Sequence, residues 1–510
     1  MSDIAEAASV LLARGPGSSE VFLVCRSPKL RFLGGFCAFP GGRVHAGDAG
    51  LAAAVAGLTP RHVAAVRELF EETGVLLARR PDGSFPPGDA DLVHARRELL
   101  ADRLPFRDLL AARDLRLAPA DLTPAGSLVT PPFAAVRFDT TFFVADLPPG
   151  QAAEVWPGEL TGGTWSSADD ALRAWDRGGG LLSPPTVSLL ETIRGRPVGE
   201  LPQRARPLFD ALAAGDLPPV WFSPAVQMIP LHCQGLPPGT HTNAYLAGTG
   251  PCYLLDPGPA DAGEQQRLFA VLDARAAAGR RLTAVVLTHH HPDHVGAAAA
   301  CAGRYHVPVL AHPLTARALA GKVEVRPEVE DGARLDLGPA PDGHGRWHLE
   351  ALHTPGHAPG HLAFYEPRYG LLFAGDLVST LSSVLIAPPE GDLTLYLASL
   401  RRLLALPARL LLPAHGSPRT NPAAVLEECL AHRRQREEDL LAVLGDQPRT
   451  VADLAREVYR GLPDPMRPYA ELQVLAGLRK LEREGRAAAV GAEPSPGWVR
   501  LPRPGRTAHP

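Results

Sequence analysis

The chain lacks several things, and each absence excludes something. None of its 510 residues falls in an uncharged apolar run long enough to cross a bilayer. Of 51 basic residues only three are lysine (Lys29, Lys322, Lys480), and asparagine is nearly absent. With abundant Ala, Gly and Pro, this skew fits drift in a GC-rich genome, and scarce asparagine also removes a thermolabile residue. Neither sign of charge dominates. The net charge of −4 excludes a chain that binds nucleic acid along its whole length, so any such contact must come from a local patch. Cysteine is sparse: Cys25, Cys37, Cys233, Cys252, Cys301 and Cys429 form no Cys-x-x-Cys pair, and the expectation is reduced, mostly buried thiols in a cytoplasmic protein. The acidic opening Met1–Glu6 lacks the pattern of a secretory leader. With 45% apolar and 21% charged residues, the composition excludes wholesale disorder. At about 150 residues per domain, the length suggests three to four domains.

Strand-like runs open the chain at Ala8–Ala13 and Val21–Val24, and a glycine-rich turn follows at 34–42. Thr59 and Pro60 start a helix whose apolar stripe is Val63, Val66 and Phe70, and Gly74 stops it. Residues 79–130 have no clear period. Phe138–Val144 reads as a strand and Ser167–Arg177 as a helix. The Pro- and Arg-rich stretch 199–219 reads as a linker. Beyond it, short apolar runs alternate with Gly/His/Pro loops and helical stretches, the texture of a layered α/β domain. From 422 onward, three helical stretches and two short strands have the order of a small winged-helix domain, and 503–510 reads as a disordered tail.

The first chemical signal is Arg67-Glu68-Leu69-Phe70-Glu71-Glu72-Thr73-Gly74. Glu68, Glu71 and Glu72 share one helix face and repel one another unless a cation neutralises them. Hard oxygen donors at this density suit Mg²⁺ or Mn²⁺. With Gly41 and Gly42 before it, the stretch resembles a Nudix box, departing from it by an Asp at Asp48 and by 18 residues between Asp48 and Arg67. The insertion leaves Asp48 without an assigned role. The run Arg31-x-x-x-Gly35-x-x-x-Phe39-Pro40-Gly41-Gly42 resembles the signature of coenzyme A-cleaving Nudix hydrolases, and Arg137–Thr140 and Ser183–Thr186 resemble the peroxisomal type. The resemblance implies an α/β/α sandwich over residues 1–198 that cleaves a small-molecule diphosphate. Glu68, Glu71 and Glu72 would hold the metal, Arg67 would steady them, and Arg31, Gly41 and Gly42 would face substrate. The candidate substrates are coenzyme A or an acyl-CoA, a nucleoside diphosphate derivative, or a capped RNA end. Glu159 is a candidate base. A non-catalytic, nucleotide-sensing role for this half is the rival reading.

The second signal is stronger. Thr288-His289-His290-His291-Pro292-Asp293-His294 follows an apolar strand, and imidazoles with carboxylate at such spacing suit Zn²⁺. Further donors follow apolar runs in glycine-flanked loops: His357, Asp376 and His415. Together these motifs resemble the metallo-β-lactamase superfamily. The resemblance implies an αββα sandwich over 220–421 holding two Zn²⁺. It assigns His289, His291 and His357 to one ion, Asp293, His294 and His415 to the other, and Asp376 to both. It also gives Asp256 and His361 supporting roles behind the ligands, while His290 reads as a loop residue. The chemistry implied is two-metal hydrolysis, with Asp293 among the catalytic residues.

Thr240–Leu246, these motifs and the tail domain at 422–502 together resemble the β-lactamase-like protein 2 family, which implies endoribonuclease action on single-stranded RNA. Arg479, Lys480, Arg483 and Arg486 are then either a nucleic-acid contact or a solvated helix face. The alternative joins the two halves through coenzyme A, with thioester hydrolysis of the acyl-CoA or glyoxalase II kind. The expectation is thus an α/β multidomain, bifunctional metal-dependent hydrolase, away from membranes, with a homodimer left open.

Overall fold

The computed structural model describes all residues except 1–3, 16, 31–32, 135, 216–219, 236, 327, 492–495 and 503–510. Arg31 and the expected tail 503–510 therefore lie outside the described residues. The chain divides into two compact units: Met1–Ile229 with Pro341–His344, and Pro230–Ala340 with Gly345–Pro510.

The first unit is built on a seven-stranded sheet. Its central strand Ala5–Arg14 runs parallel to Phe138–Asp146, with Ser9 opposite Phe142. Alternation along the strand feeds both faces. Ala8, Val10 and Leu12 pack with Val63, Leu69 and Phe70 of the helix Pro60–Thr73. Leu11 and Ala13 pack with Leu172 and Trp175 of the helix Ala168–Asp176 and with Val187 and Leu190 of the helix Pro184–Thr192. The result is a sheet with helices on both sides. Gly74 ends the helix Pro60–Thr73 at a φ of 76°, which glycine adopts without a Cβ penalty. Within 79–130, helices Ala90–Leu100 and Phe106–Ala112 and the strand Thr123–Val129 emerge.

Two expectations are corrected here. The stretch read as a linker is helical over Leu201–Arg204 and Arg206–Ala213. Val198, Leu201 and Ala205 are buried in the same core as Trp175, because Leu201 and Ala205 sit four apart on one face. Pro202 and Pro207 fall in first turns, where a missing N–H costs nothing. The thiols, moreover, are not all reduced. Cys25 and Cys37 are register partners on neighbouring antiparallel strands, and that apposition lets them form a disulfide. Cys233, Cys252, Cys301 and Cys429 are free.

The second unit contains two sheets. Strands Val226–His232, His241–Ala247, Cys252–Leu255, Leu282–Val286 and Val309–Leu310 follow one another in the first. The second runs in chain order from Arg334–Pro339 to Arg419–Thr420. The two are tied where Tyr245 meets Phe373 edge-on at 5.3 Å and where Asn243 and Tyr245 donate to the Pro413 carbonyl. The strands Leu362–Glu366 and Leu371–Gly375 are buried throughout, as continuous apolar runs require. A long helix, Pro422–Val443, leads to helices Val451–Val458 and Arg467–Arg483 and the hairpin Ala487–Val490 with Gly497–Arg500. Leu454, Leu478, Leu481 and Trp498 form the core of this last portion. Among the described residues, no helix is long and apolar enough to cross a membrane.

Candidate active sites

The first unit encloses a cavity of about 850 Å³ lined by Glu68, Glu71, Glu72, Glu159, Gly41, Gly42, Arg26, Trp156, Ser183 and Thr186 among others. The helix Pro60–Thr73 presents its three glutamates here because its other face is core. Arg67 is buried and sits among carboxylates. Its guanidinium donates to Asp48 at 3.1 and 3.0 Å, to Glu68 at 2.8 Å, to Glu71 at 3.3 Å and to the Arg43 carbonyl at 2.7 Å. Asp48 also accepts from the His45 N–H at 2.8 Å. Asp48 thus anchors Arg67 and the start of the short helix Ala46–Ala52, the role its sequence position left open.

The Gly41 N–H donates to Glu72 at 2.9 Å. A Cβ at Gly42 would lie 2.4 Å from the Glu68 carboxyl carbon, so glycine is what lets the turn and that carboxylate coexist. Burial and the neighbouring Glu68 push Glu71 up to about 7 and Glu72 up to about 8. Burial also raises Glu68 against the pull of Arg67. Burial alone would lower Arg67, but Asp48, Glu68 and Glu71 reverse that and hold it above its ordinary value. Three carboxylates crowded on one cavity wall repel one another, which favours their protonated forms. Arg61, which the sequence reading passed over, pairs with Asp139 at 2.6 Å and Glu6 at 2.8 Å.

In the second unit the donors read from sequence converge. His289 Nε2, His291 Nδ1 and His357 Nε2 meet, with His291 Nδ1 lying 2.9 Å from each of the other two. Asp376 joins this group, and Asp293, His294 and His415 form a second. The outer nitrogen of each of four rings is fixed. His294 Nδ1 bonds to Asp256 Oδ2 at 2.9 Å, and His415 Nδ1 to the His241 carbonyl at 2.9 Å. His357 Nδ1 bonds to the Leu385 carbonyl at 2.8 Å, and His289 Nδ1 to Thr288 Oγ1 at 2.9 Å. Thr288 Oγ1 itself donates to Asp256 at 2.7 Å, so it accepts from His289. In the neutral form of each ring, the form that binds a metal, the inner nitrogen then carries a lone pair toward its neighbours.

His361 stands behind the donors. It bonds to Thr354 Oγ1 at 2.9 Å and accepts the Asp376 N–H at 3.1 Å. His290 turns toward Glu390 at 3.1 Å. Burial and the surrounding imidazoles hold His289 well below its ordinary value, and burial with His357 holds His291 at about 3. Burial pulls His294 down too, but Asp376, Asp293 and Asp256 outweigh it and raise the ring well above its ordinary value.

Comparison with known proteins decides the family. Residues 237–415 match the model described as "Metallo-beta-lactamase superfamily", and 450–498 match "Beta-lactamase associated winged helix domain". The Drosophila melanogaster protein named "Beta-lactamase-like protein 2 homolog" is 30% identical over 256 residues, 48% of this chain and 83% of the relative. The chain belongs to the metallo-β-lactamase superfamily. A hydroxyacylglutathione hydrolase of Aeromonas hydrophila is 37% identical over 156 residues, 31% of this chain and 53% of that protein. Among solved structures, a metallo-β-lactamase family protein from Thermus thermophilus is 27% identical with a TM-score of 0.45, covering 54% of this chain and 99% of that one. A NUDIX hydrolase from Alicyclobacillus acidocaldarius is 30% identical with a TM-score of 0.36, covering 39% and 96%.

This metallo-β-lactamase superfamily member is a hydrolase whose His/Asp clusters imply a divalent metal. The residues fit one. His294 Nε2 and Asp376 Oδ1 are buried without a hydrogen-bond partner among the described residues, as atoms reserved for a cation would be. The winged-helix portion holds a contrast with sequence expectation. Lys480 pairs with Glu437 at 2.5 Å and with Glu484 at 2.7 Å. Arg483 pairs with Asp392 and Arg486 with Glu437, each at 2.6 Å. Three of the four basic residues singled out for nucleic acid are engaged inside the protein.

Proposed function

We propose that the second unit is a dinuclear zinc hydrolase acting on a thioester. The observation that carries the two-metal reading is the set of five inner imidazole nitrogens, four of them on rings bonded at the outer nitrogen, around one shared carboxylate. Neutral imidazoles with carboxylates are zinc donors. His289, His291 and His357 would hold one ion, Asp293, His294 and His415 the other, and Asp376 both. Two such ions supply an activated water and neutralise charge at the carbon or phosphorus being attacked. The protein's own contribution is orientation. Asp256 fixes His294 directly and His289 through Thr288, and His361 holds the Asp376 backbone.

The engagement of Lys480, Arg483 and Arg486 in ion pairs favours a small substrate over a long nucleic acid track. The likeness to the hydroxyacylglutathione hydrolase points the same way. The second reading, single-stranded RNA, is favoured by the winged-helix match.

For the first unit we propose a diphosphatase dependent on Mg²⁺ or Mn²⁺, with coenzyme A or an acyl-CoA as the substrate class. Glu68, Glu71 and Glu72 would hold the ion, Arg67 keeps Glu68 and Glu71 in place, and the 850 Å³ cavity has room for a nucleotide-sized group. The two halves then share a coenzyme A theme, with the chain in the cytoplasm.

One assay separates the readings. Zinc-loaded wild type and His291→Ala are given an acyl-CoA, with free thiol as readout, and in parallel an end-labelled single-stranded RNA. Thiol release by wild type and none by the variant supports the thioester. Internal RNA cleavage by wild type alone overturns it in favour of RNA. No reaction with either substrate by a sample holding two zinc ions overturns both.

A further inference from the structure

The loop Val384–Asp392 bonds His357 through the Leu385 carbonyl and the C-terminal helices through the Val384 carbonyl and Asp392. We propose that Arg433 and Gln473, on the helices Pro422–Val443 and Arg467–Arg483, are positioning residues for His357. The inference rests on reading His357 as a metal ligand.

His357 donates Nδ1–H to the Leu385 carbonyl at 2.8 Å, and that bond turns Nε2 toward His291 and Asp376. The orientation of His357 is therefore only as well defined as the Leu385 peptide. The preceding carbonyl, Val384, accepts from Gln473 Nε2 at 2.8 Å and from Arg433 Nη2. Arg433 Nη1 donates to Gln473 Oε1 at 3.0 Å, so the two side chains grip that carbonyl as a joined pair. A peptide held on one side by a guanidinium and an amide has little freedom to rotate, and the next carbonyl is the one that orients the imidazole.

A second path runs from the same arginine. Its guanidinium lies 5.1 Å from the centroid of the Tyr396 ring, which is buried. Tyr396 packs so closely under Gly356, the residue before His357, that a Cβ there would lie 2.3 Å from the Tyr396 backbone. Tyr396 also donates its hydroxyl to the Leu377 carbonyl, next to Asp376, at 3.0 Å. Arg433 thus bears on the backbone beside two metal donors. It is buried, and among the described residues it donates to a neutral carbonyl and a neutral amide. Taking a cation out of water for neutral partners costs stability, which suits a role in holding geometry. Removing a partner behind a metal-binding histidine typically costs about 10–100-fold in metal affinity.

The test uses the full chain stripped of metal and titrated with Co²⁺, whose visible absorption reports ligand geometry. Wild type, Arg433→Gln, Arg433→Lys, Gln473→Ala and His357→Ala are compared, with far-UV circular dichroism and melting of the metal-free forms. His357→Ala is expected to lose one ion's spectrum. Gln473→Ala and Arg433→Gln are expected to weaken Co²⁺ binding about 10–100-fold and to shift the spectrum while the metal-free melting stays near wild type. Arg433→Lys should fall between, since one ammonium cannot make both bonds in the fork geometry. Folded Gln473→Ala with wild-type affinity and spectrum overturns the proposal. His357→Ala that binds two Co²⁺ with an unchanged spectrum overturns the ligand reading beneath it.

Discussion

Asp376 and His415 face one another across the metal centre, with Asp376 Oδ1 lying 3.2 Å from His415 Nε2. The same oxygen is 3.4 Å from His294 Nε2, while Oδ2 lies 3.6 Å from His357 Nε2. One carboxylate spans both groups of donors. Asp376→Asn is expected to lose hydrolysis by at least about a hundredfold and to retain fewer than two zinc ions per chain. Metal analysis after dialysis, alongside kcat/KM, checks this. Two retained ions with unchanged kcat/KM would refute it.

Arg67 and Asp48 are both buried and joined by two hydrogen bonds. Removing the arginine leaves a carboxylate in the core without its counter-charge. Arg67→Ala should therefore destabilise the first unit by about 3–5 kcal/mol, read by denaturant unfolding. Arg67→Lys should recover only part of that, because an ammonium cannot make the forked contact. The pair Arg67→Ala with Asp48→Ala should be less damaging than the arginine variant alone.

Glu366 gives a pH dependence away from either site. It is buried and accepts N–H bonds from Arg368 at 2.9 Å and Tyr369 at 2.8 Å, yet burial pushes it up to about 7. From its ordinary 4.5 up to about 7, the folded chain holds a proton that the unfolded chain has lost. Stability therefore falls as pH rises through that window, by at most about 3.5 kcal/mol. Glu366→Gln should flatten this part of the curve. Melting of both proteins at pH 5 and pH 8 checks it, and an unchanged difference between the two temperatures would count against it.

The disulfide between Cys25 and Cys37 leaves four thiols. Protein denatured without reductant should take up four alkyl groups per chain, and six after reduction, read by mass. Six without reductant would contradict the pairing.

The parts of this molecule that were legible in the sequence are those whose signal is local. The strand Leu282–Val286 and the motif after it put four donors within six residues, and His357, Asp376 and His415 each follow an apolar strand. The helix Pro60–Thr73 announced itself through Thr59, Pro60 and Gly74. What escaped is long-range. Asp48 meets Arg67 across 19 residues, Arg433 meets Val384 across 49, and Gln473 meets it across 89. No period or spacing encodes such contacts. The cationic stretch at 479–486 shows the converse. A charge run reads as free surface until Glu437, Glu484 and Asp392 are found beside it. Likewise Leu201 and Ala205 were hidden by the prolines and arginines around them, although they were a buried face.

The donors of the metal centre run from His289 to His415, so ions bound there tie together points 126 residues apart in the chain. The donors come together only once most of the second unit has formed, so the unfolded chain offers no such site and the free energy of ion binding is added to the stability of the fold. Metal supply would then set how long this half of the protein survives, as well as how fast it works.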